Sequence, residues 1–504
     1  MQLEKDMAYT QPIWSASVED VPHAFSTLTG QHMRVDVAII GAGVTGLTAA
    51  WLLKRAGKRV AVLEARHVLS GTTAATTAHL TQILDMRYHV LERKFGKEGA
   101  RQAAASSGAA IDMIEAITHQ LGLDNGFERL PGFLFTERQA QHAELEQEMH
   151  AARTAGLNVA AAQLPAPFQA RLAMRVENQA QVNPRAYLLP LARDTDAQGS
   201  HVFENAPVVA IQEGEPCTLE LSSGAKLRAS HVIMATHSPL NRLLLQTKIS
   251  HYQSYVVSGP VEHTLPGLCW DMEEPYHYLR SFHAPQGTHL IIGGADHKTG
   301  QEADTEAAFA RLTAYAKRFG VWPTHRWSSQ VVEPVDGLPF IGRNANSRFV
   351  SVATGFAGNG MTFGTLAAMI LSDRILGKPN PWAELYAATR VKPLASLKSF
   401  VAENVDFPLH LLSDPFRPAE VASMNEVGFG EGKIVRTGAN PVAAYRDDDG
   451  TLHVVSGICT HLGCTVSFNT AEKSWDCPCH GSRFSVDGDV LVGPALKPLE
   501  ALKP

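Results

Sequence analysis

The run Val35-Asp36-Val37-Ala38-Ile39-Ile40 leads straight into Gly41-Ala42-Gly43-Val44-Thr45-Gly46, and no other feature limits the fold of this chain as strongly. The β-branched run reads as a buried strand, Leu47 to Ala56 as a helix, and Arg59-Val60-Ala61-Val62-Leu63-Glu64 as the next strand. Strand, glycine turn, helix and strand in that order open a doubly wound parallel sheet. Gly41 allows the tight bend, Gly43 lets a pyrophosphate approach the backbone, and Gly46 lets the helix pack on the strand. Glu64 ends the second strand, where a carboxylate can bind a ribose hydroxyl. The unit calls for a dinucleotide and leaves NAD and FAD both open.

At 504 residues the chain has room for roughly three compact units of about 150 residues each. A net charge of −6 with acids and bases evenly mixed offers no basic stripe to neutralise a phosphate backbone, so nucleic acid is not an expected partner. The longest apolar runs, such as Val37 to Ile40 and Leu366 to Leu371, fall well short of the roughly 20 residues a membrane span needs, so an integral membrane protein is not expected. Met1 to Gly30 mixes acids, prolines and polar residues and lacks an apolar leader, which leads to the expectation of a cytoplasmic protein. Six cysteines are too few and too uneven for a disulfide framework, and four of them crowd the C-terminal end. Cys217 and Cys269 read as small buried hydrophobes without chemistry.

Further along, Tyr88 to Leu121 and Glu137 to Ala155 read as helices. Alternation returns in His251–Val257, Tyr276–Arg280 and His289–Gly294, which predicts a mostly antiparallel sheet and a wall for the substrate. Phe349–Ala353, the turn from Thr354 to Gly364 and the apolar Leu366 to Leu376 repeat the strand, glycine turn and helix order, closed by Lys378-Pro379-Asn380-Pro381. Residues beyond about Lys392, with Pro408, Pro415 and Pro418, read as a connector, and short strands with Gly and Asp turns follow from Ser423. Gly428, Gly430 and Gly432 have no helix behind them and read as turns. The expected division is an arm at 1–33, a nucleotide-binding module at 34–391, a linker at 392–422 and a small all-β domain at 423–504.

Three further segments favour FAD. Ser70 to Thr81, which holds Thr72, Thr73 and His79, Val232-Ile233-Met234-Ala235-Thr236, and Glu333 to Gly342 with Asp336, taken with Gly355-Phe356-Ala357-Gly358-Asn359-Gly360-Met361, resemble the D-amino-acid oxidase and glycine oxidase type of FAD enzyme from about Val35 to Arg390. The resemblance implies an α/β doubly wound FAD-binding domain with an interleaved α+β substrate domain. It puts FAD against Gly41, Gly43, Gly46 and Glu64, against Thr72, Thr73 and His79, and against Asp336. It also puts Gly355, Asn359, Gly360 and Met361 beside the flavin pyrimidine ring, where a helix N-terminus stabilises the negative charge of reduced flavin. Relatives that oxidise sarcosine carry a carboxylate-binding lysine just after this turn, whereas this chain has Thr362. A simple N-methyl amino acid is therefore not the expected substrate. Tyr255, Tyr278 and Arg280, on the strands of the substrate wall, are the catalytic candidates, with Arg280 a fork for a carboxylate.

Near the C-terminus stand Cys459-Thr460-His461-Leu462-Gly463-Cys464 and Cys477-Pro478-Cys479-His480-Gly481-Ser482. Two loops that each offer a Cys and a His meet the needs of a Rieske [2Fe-2S] cluster, which takes two thiolates on one iron and two imidazoles on the other. The loops resemble the quinol-oxidising branch of the Rieske family. The resemblance implies Cys459, His461, Cys477 and His480 as ligands, a disulfide between Cys464 and Cys479, and Ser482 as a hydrogen-bond donor to cluster sulfur. Phe484 stands where high-potential members have a tyrosine hydroxyl, so a potential below the top of the Rieske range is expected. Gly493-Pro494-Ala495 resembles the loop that covers the cluster.

Together the halves imply an FAD-dependent oxidoreductase that oxidises an amine or amino-acid C–N bond and passes electrons singly through the cluster to an external acceptor, a protein or a quinone. Two other readings stay open: reversed flow, with a carrier feeding the cluster, and an oxidase whose Rieske unit senses redox state or docks a partner. An oxygenase is disfavoured, because no facial triad for mononuclear iron is visible.

Overall fold

The computed structural model describes residues 11–17, 25–29, 33–240, 243–390, 419–437 and 440–503. Its first sheet has eight strands and runs Phe340–Arg343, Val350–Thr354, Lys226–Met234, Met33–Ile40, Val60–Leu63, His201–Phe203, with Val208–Gln212 and Cys217–Leu221 added beside Lys226–Met234. From Val350–Thr354 to His201–Phe203 every pairing is parallel. Strands buried on both faces need apolar runs, and Val37, Ala38, Ile39, Val60, Ala61 and Val62 are all wholly buried. Helices Val44–Arg55 and Gly360–Ile375 share the core on one face.

The second sheet has nine strands in the order His325–Pro334, Ile249–Pro260, Gly287–Lys298, Tyr278–Ala284, Leu268–Asp271, Glu128–Thr136, Leu172–Gln181, His79–Leu80, with Val159–Ala162 beside Leu172–Gln181. All its pairings are antiparallel except Leu268–Asp271 with Glu128–Thr136. Its strands come from stretches that alternate along the chain with those of the first sheet, so the two subdomains interleave as expected. The helix Tyr88–Leu121 matches its predicted span and is broken at Gly96, which has φ 75.

The arm is less separate than its polar sequence implies. Trp14 is 1% exposed, donates its indole N–H to Thr76 O at 2.8 Å and packs edge-on to Phe282. The N-terminal segment is thereby pinned to the loop that precedes His79. Most of the expected linker lies in 391–418, outside the described residues.

The C-terminal domain is all β. It has a sheet of Gly432–Thr437, Asn440–Arg446 and Leu452–Ser456, and a second of Ser467–Asn469, Ser474–Asp476, Arg483–Ser485 and Val490–Val492. Val466, Trp475 and Phe484 are fully buried between them. This domain packs on the second sheet: Ala471 N donates to Thr305 Oγ1 at 3.0 Å, and Ala471 joins the apolar cluster around Tyr255 and Phe309. No helix among the described residues is long and apolar enough to cross a membrane.

Candidate functional site

The carboxyl ends of the parallel strands open on a cavity of about 760 Å³, the place where doubly wound sheets bind ligands. Gly41 and Gly43 line it. Gly41 has φ +102, and a Cβ there would lie 2.4 Å from Ala235 O, so the turn admits no side chain and leaves backbone facing the cavity. Glu64 Oε2 accepts from Ala42 N at 2.9 Å and Oε1 from Arg66 N at 3.0 Å, which pins the carboxylate at the cavity wall. Thr72 and Thr73 line the same side, and Thr73 Oγ1 accepts from Val44 N at 3.3 Å. Gly355, Asn359, Gly360 and Met361 line another part of the wall, with Asn359 at the N-cap of helix Gly360–Ile375. That helix end presents its positive pole to the cavity.

His79 lines the cavity between Trp270 and Tyr278. Its Nε2 donates to Leu279 O at 3.2 Å and its Nδ1 accepts from the Thr77 hydroxyl at 3.0 Å. Burial, reinforced by Arg280, lowers its pKa to about 3, so the ring is neutral. Tyr278 also lines the cavity, with its hydroxyl 2.8 Å from Ser254 Oγ.

Four expected site residues lie off the cavity: Gly46, where a Cβ would fall 1.9 Å from Gly41 O, packs the helix on the strand, and three others turn their side chains elsewhere. Arg280 is 1% exposed and spends Nη1 on the carbonyls of Thr77, Ala78 and Val182, so it ties the flavin-side loop to the sheet instead of reaching into the cavity. Tyr255 donates toward His297 at 2.9 Å and faces Asn469 and Asp476 across the domain contact. Asp336 holds Arg390 through both carboxylate oxygens, at 2.7 and 2.8 Å, and braces the turn after Pro334. In each case a neighbouring segment, remote in sequence, supplies the partner that takes the side chain away from the cavity.

The sequence reading missed Asp85, Tyr276 and Asp296, which line the cavity beside the Gly358–Met361 turn. Asp85 accepts from Gly358 N and from the Tyr276 hydroxyl, the latter at 3.3 Å. Burial raises the pKa of Asp85 and pushes that of Asp296 up to about 7, with hydrogen bonding from Ser254 opposing the second shift. No local pattern marks these acids. One structural signal does: Ala78, His237, Ala295 and Ala357 have φ between 47 and 62 and either line the cavity or directly precede a residue that does. Left-handed backbone at non-glycine residues concentrates at sites whose geometry is held by their surroundings.

The two C-terminal loops bring their expected residues together. The thiols of Cys459 and Cys477 are in contact, and the rings of His461 and His480 lie 5.0 Å apart, edge to face. Burial lowers the pKa of His480 to about 4, which keeps the imidazole neutral as a metal ligand must be. Cys464 and Cys479 form the disulfide. Cys464, Cys477 and Cys479 sit within 4.8 Å of one another, but the bridge uses two of these sulfurs. The Ser482 hydroxyl reaches Cys459, and Phe484 is wholly buried.

The cluster loop and the cavity share a wall. Gln330 lines the cavity and donates from Nε2 to Gly481 O at 2.7 Å, one residue past His480. Gly481 has φ +68, and a Cβ on it would meet His251 at 2.4 Å, so the loop lies directly on the strand Ile249–Pro260. His237 and His251 fill the space behind this contact; burial lowers both pKa values, that of His237 to about 4. Residues of the small domain from Asp489 to Pro498, Gly493 and Ala495 among them, also line the cavity.

Residues 36–374 match the family model described as FAD dependent oxidoreductase. The chain belongs to that family. Residues 417–503 of this FAD-dependent oxidoreductase match the Rieske [2Fe-2S] domain. The oxidoreductase is 33% identical over 497 residues to the Rieske 2Fe-2S iron-sulfur protein YhfW of Bacillus subtilis, covering 97% of each chain. Its C-terminal part is 35% identical over 91 residues to the cytochrome b6-f complex iron-sulfur subunit of Chlorobaculum tepidum, which is 17% of this chain and half of that one. Among solved structures it is similar to glycine oxidase from Geobacillus kaustophilus, with a TM-score of 0.61, 18% identity and coverage of 71% of this chain and 100% of the other.

The cofactors of both units are thereby given: FAD and a [2Fe-2S] cluster. The residues fit them. At Gly41, where a Cβ would strike Ala235 O, only backbone lines the cavity, as the close approach of a pyrophosphate requires. Two buried thiols in contact and two neutral imidazoles form the donor set of a Rieske centre.

Proposed function

We propose that this oxidoreductase oxidises the C–N bond of an amine or amino acid and passes the electrons one at a time through its Rieske cluster to an external acceptor, a protein or a quinone. FAD supplies a two-electron acceptor, and the cluster carries single electrons. The observation that carries this reading is Gln330, a single side chain that both lines the cavity and bonds the cluster loop at Gly481. The resemblance in fold to glycine oxidase supports the amino-acid or amine part.

In this reading Gly41 and Gly43 receive the pyrophosphate, and the helix end at Asn359, Gly360 and Met361 balances negative charge on the flavin. Tyr278, Trp270 and His79 form a wall that keeps water from the reacting carbon. Cys459 and Cys477 hold one iron, and His461 and His480 the other. Direction of flow is tested by anaerobic mixing with a panel of amines and amino acids while flavin absorbance and the cluster EPR signal are followed together. Flavin bleaching followed by the reduced Rieske signal is expected. Reduction of the cluster ahead of the flavin, by a carrier and by no amine or amino acid, would overturn the reading.

A further inference from the structure

We infer, resting on the amine-oxidising reading above, that the substrate is a cationic amine with no carboxylate, received by Asp85 and Asp296. Both acids line the cavity with Tyr276, Tyr278 and Ser254, next to the turn that Asp85 holds through Gly358 N. Asp296 is hydrogen-bonded by Ser254, yet its Oδ1 is buried and has no partner among the described residues. A buried carboxylate oxygen with an open lone pair costs free energy until a donor reaches it. An ammonium group brings three donors and the opposite charge.

Among the described residues, the end of the cavity beside Gly358 offers no cation to a carboxylate. Arg66 is the only lysine or arginine among its described lining residues. It belongs to the Glu64 end, where its guanidinium donates to Ser70 O. Arg280 is committed to three backbone carbonyls. Thr362, just after the Gly358–Met361 turn, is wholly buried and accepts from Thr81 N at 3.2 Å. A substrate carboxylate would therefore meet two acids with no cation beside them among the described residues. Trp270, Tyr276 and Tyr278 supply ring faces of the kind that attract cations.

The acids also account for the proton. The amine arrives protonated and must lose an N–H proton before its C–H bond can be broken as a hydride. That proton would pass to the Asp296 carboxylate; bound FAD would take the Cα hydrogen with its electron pair, the carbon–nitrogen bond would become an iminium, and water would hydrolyse it to a carbonyl and an ammonium. Asp296 then releases its proton to solvent.

The test uses the holoenzyme with both cofactors loaded. Calorimetry compares benzamidinium, a cation with no oxidisable Cα–H, with benzoate. Benzamidinium should bind at least about tenfold tighter, and Asp296→Asn and Asp85→Asn should each weaken it by about 10- to 100-fold while flavin content and the cluster EPR signal stay as in the parent. Tighter binding of benzoate, or cation binding unmoved by both variants, overturns the inference. Anaerobic bleaching by benzylamine and putrescine against phenylalanine and ornithine separates the two claims. Preference for the amino acids overturns this inference alone, and bleaching by neither class overturns the amine-oxidising reading with it.

Discussion

The cluster loops and the substrate end of the flavin cavity are both buried polar sites, yet they are built in opposite ways. Every expected cluster ligand comes from two short loops, Cys459–Cys464 and Cys477–Ser482, held by the disulfide and by the Asp476–Arg483 ion pair at 2.9 Å. The substrate end draws on Ser254 and Asp296 from two strands of the second sheet and on Asp85, Tyr276 and Gly358 from three loops. A local site carries its own geometry, whereas a dispersed one borrows it from the whole module. Local sites should therefore tolerate change elsewhere and fail sharply when a ligand goes; dispersed sites should respond in graded steps.

The largest effect should come from His480→Ala. It removes one of two imidazoles from one iron, so iron content and the Rieske EPR signal should vanish while FAD stays stoichiometric. Loss of FAD as well would show that the two regions do not stand apart.

Asp296→Asn sharpens the other side of the comparison. Burial raises the folded-state pKa of Asp296 from 3.8 to about 7, so the folded protein holds that proton more tightly than the unfolded chain. Stability from the protonated form is present below the unfolded value and lost as pH rises through 7. The groups that face it are Asp85, His277, Ser254, Tyr276 and Tyr278. The variant should stabilise the substrate-free protein by about 2 kcal/mol at pH 8, discounted for water in the cavity, and by nothing near pH 4. Urea unfolding at the two pH values measures this; an equal effect at both would break the argument.

Gln330→Leu cuts the hydrogen bond that runs from the cavity wall to Gly481. A net bond of about 1 kcal/mol implies roughly fivefold slower cluster reduction with flavin reduction unchanged, read by stopped-flow absorbance. Equal slowing of both steps would mean that the bond only supports the fold. The smallest change is Phe484→Tyr, whose hydroxyl, donating a bond of about 1 kcal/mol to a cluster sulfur, should raise this one-electron potential by about 40 mV, as EPR-monitored titration would show.

Much of this architecture is legible from local pattern. The turn at Gly41 lies within one strand and one helix, and the proposed cluster ligands lie within two loops, so short-range spacing specifies them. The long helix Tyr88–Leu121 and the strand Val350–Thr354 follow from periodicity in the same way. Periodicity fails at Arg280. It correctly sets Tyr278 and Arg280 in one strand, but only the chain passing at Thr77 and Ala78 decides that one side chain meets the cavity and the other meets carbonyls. The same limit hid Asp85 and Asp296, which look like ordinary surface acids until folding removes their water.

By itself the sequence determined the parts: a dinucleotide turn, two antiparallel and parallel layers, and a Cys/His pair on each of two loops. These are properties of neighbours along the chain, where backbone geometry and ligand chemistry act over a few residues. Tertiary structure alone decided that the cluster loop lies on the cavity through Gln330, and that the end beside Gly358 presents acids while Arg66, the arginine in the described lining, stays at the Glu64 end. Burial and pairing depend on which distant segments cover a side chain, and desolvation, which sets the charge of Asp296 and the role of Arg280, exists only once they do.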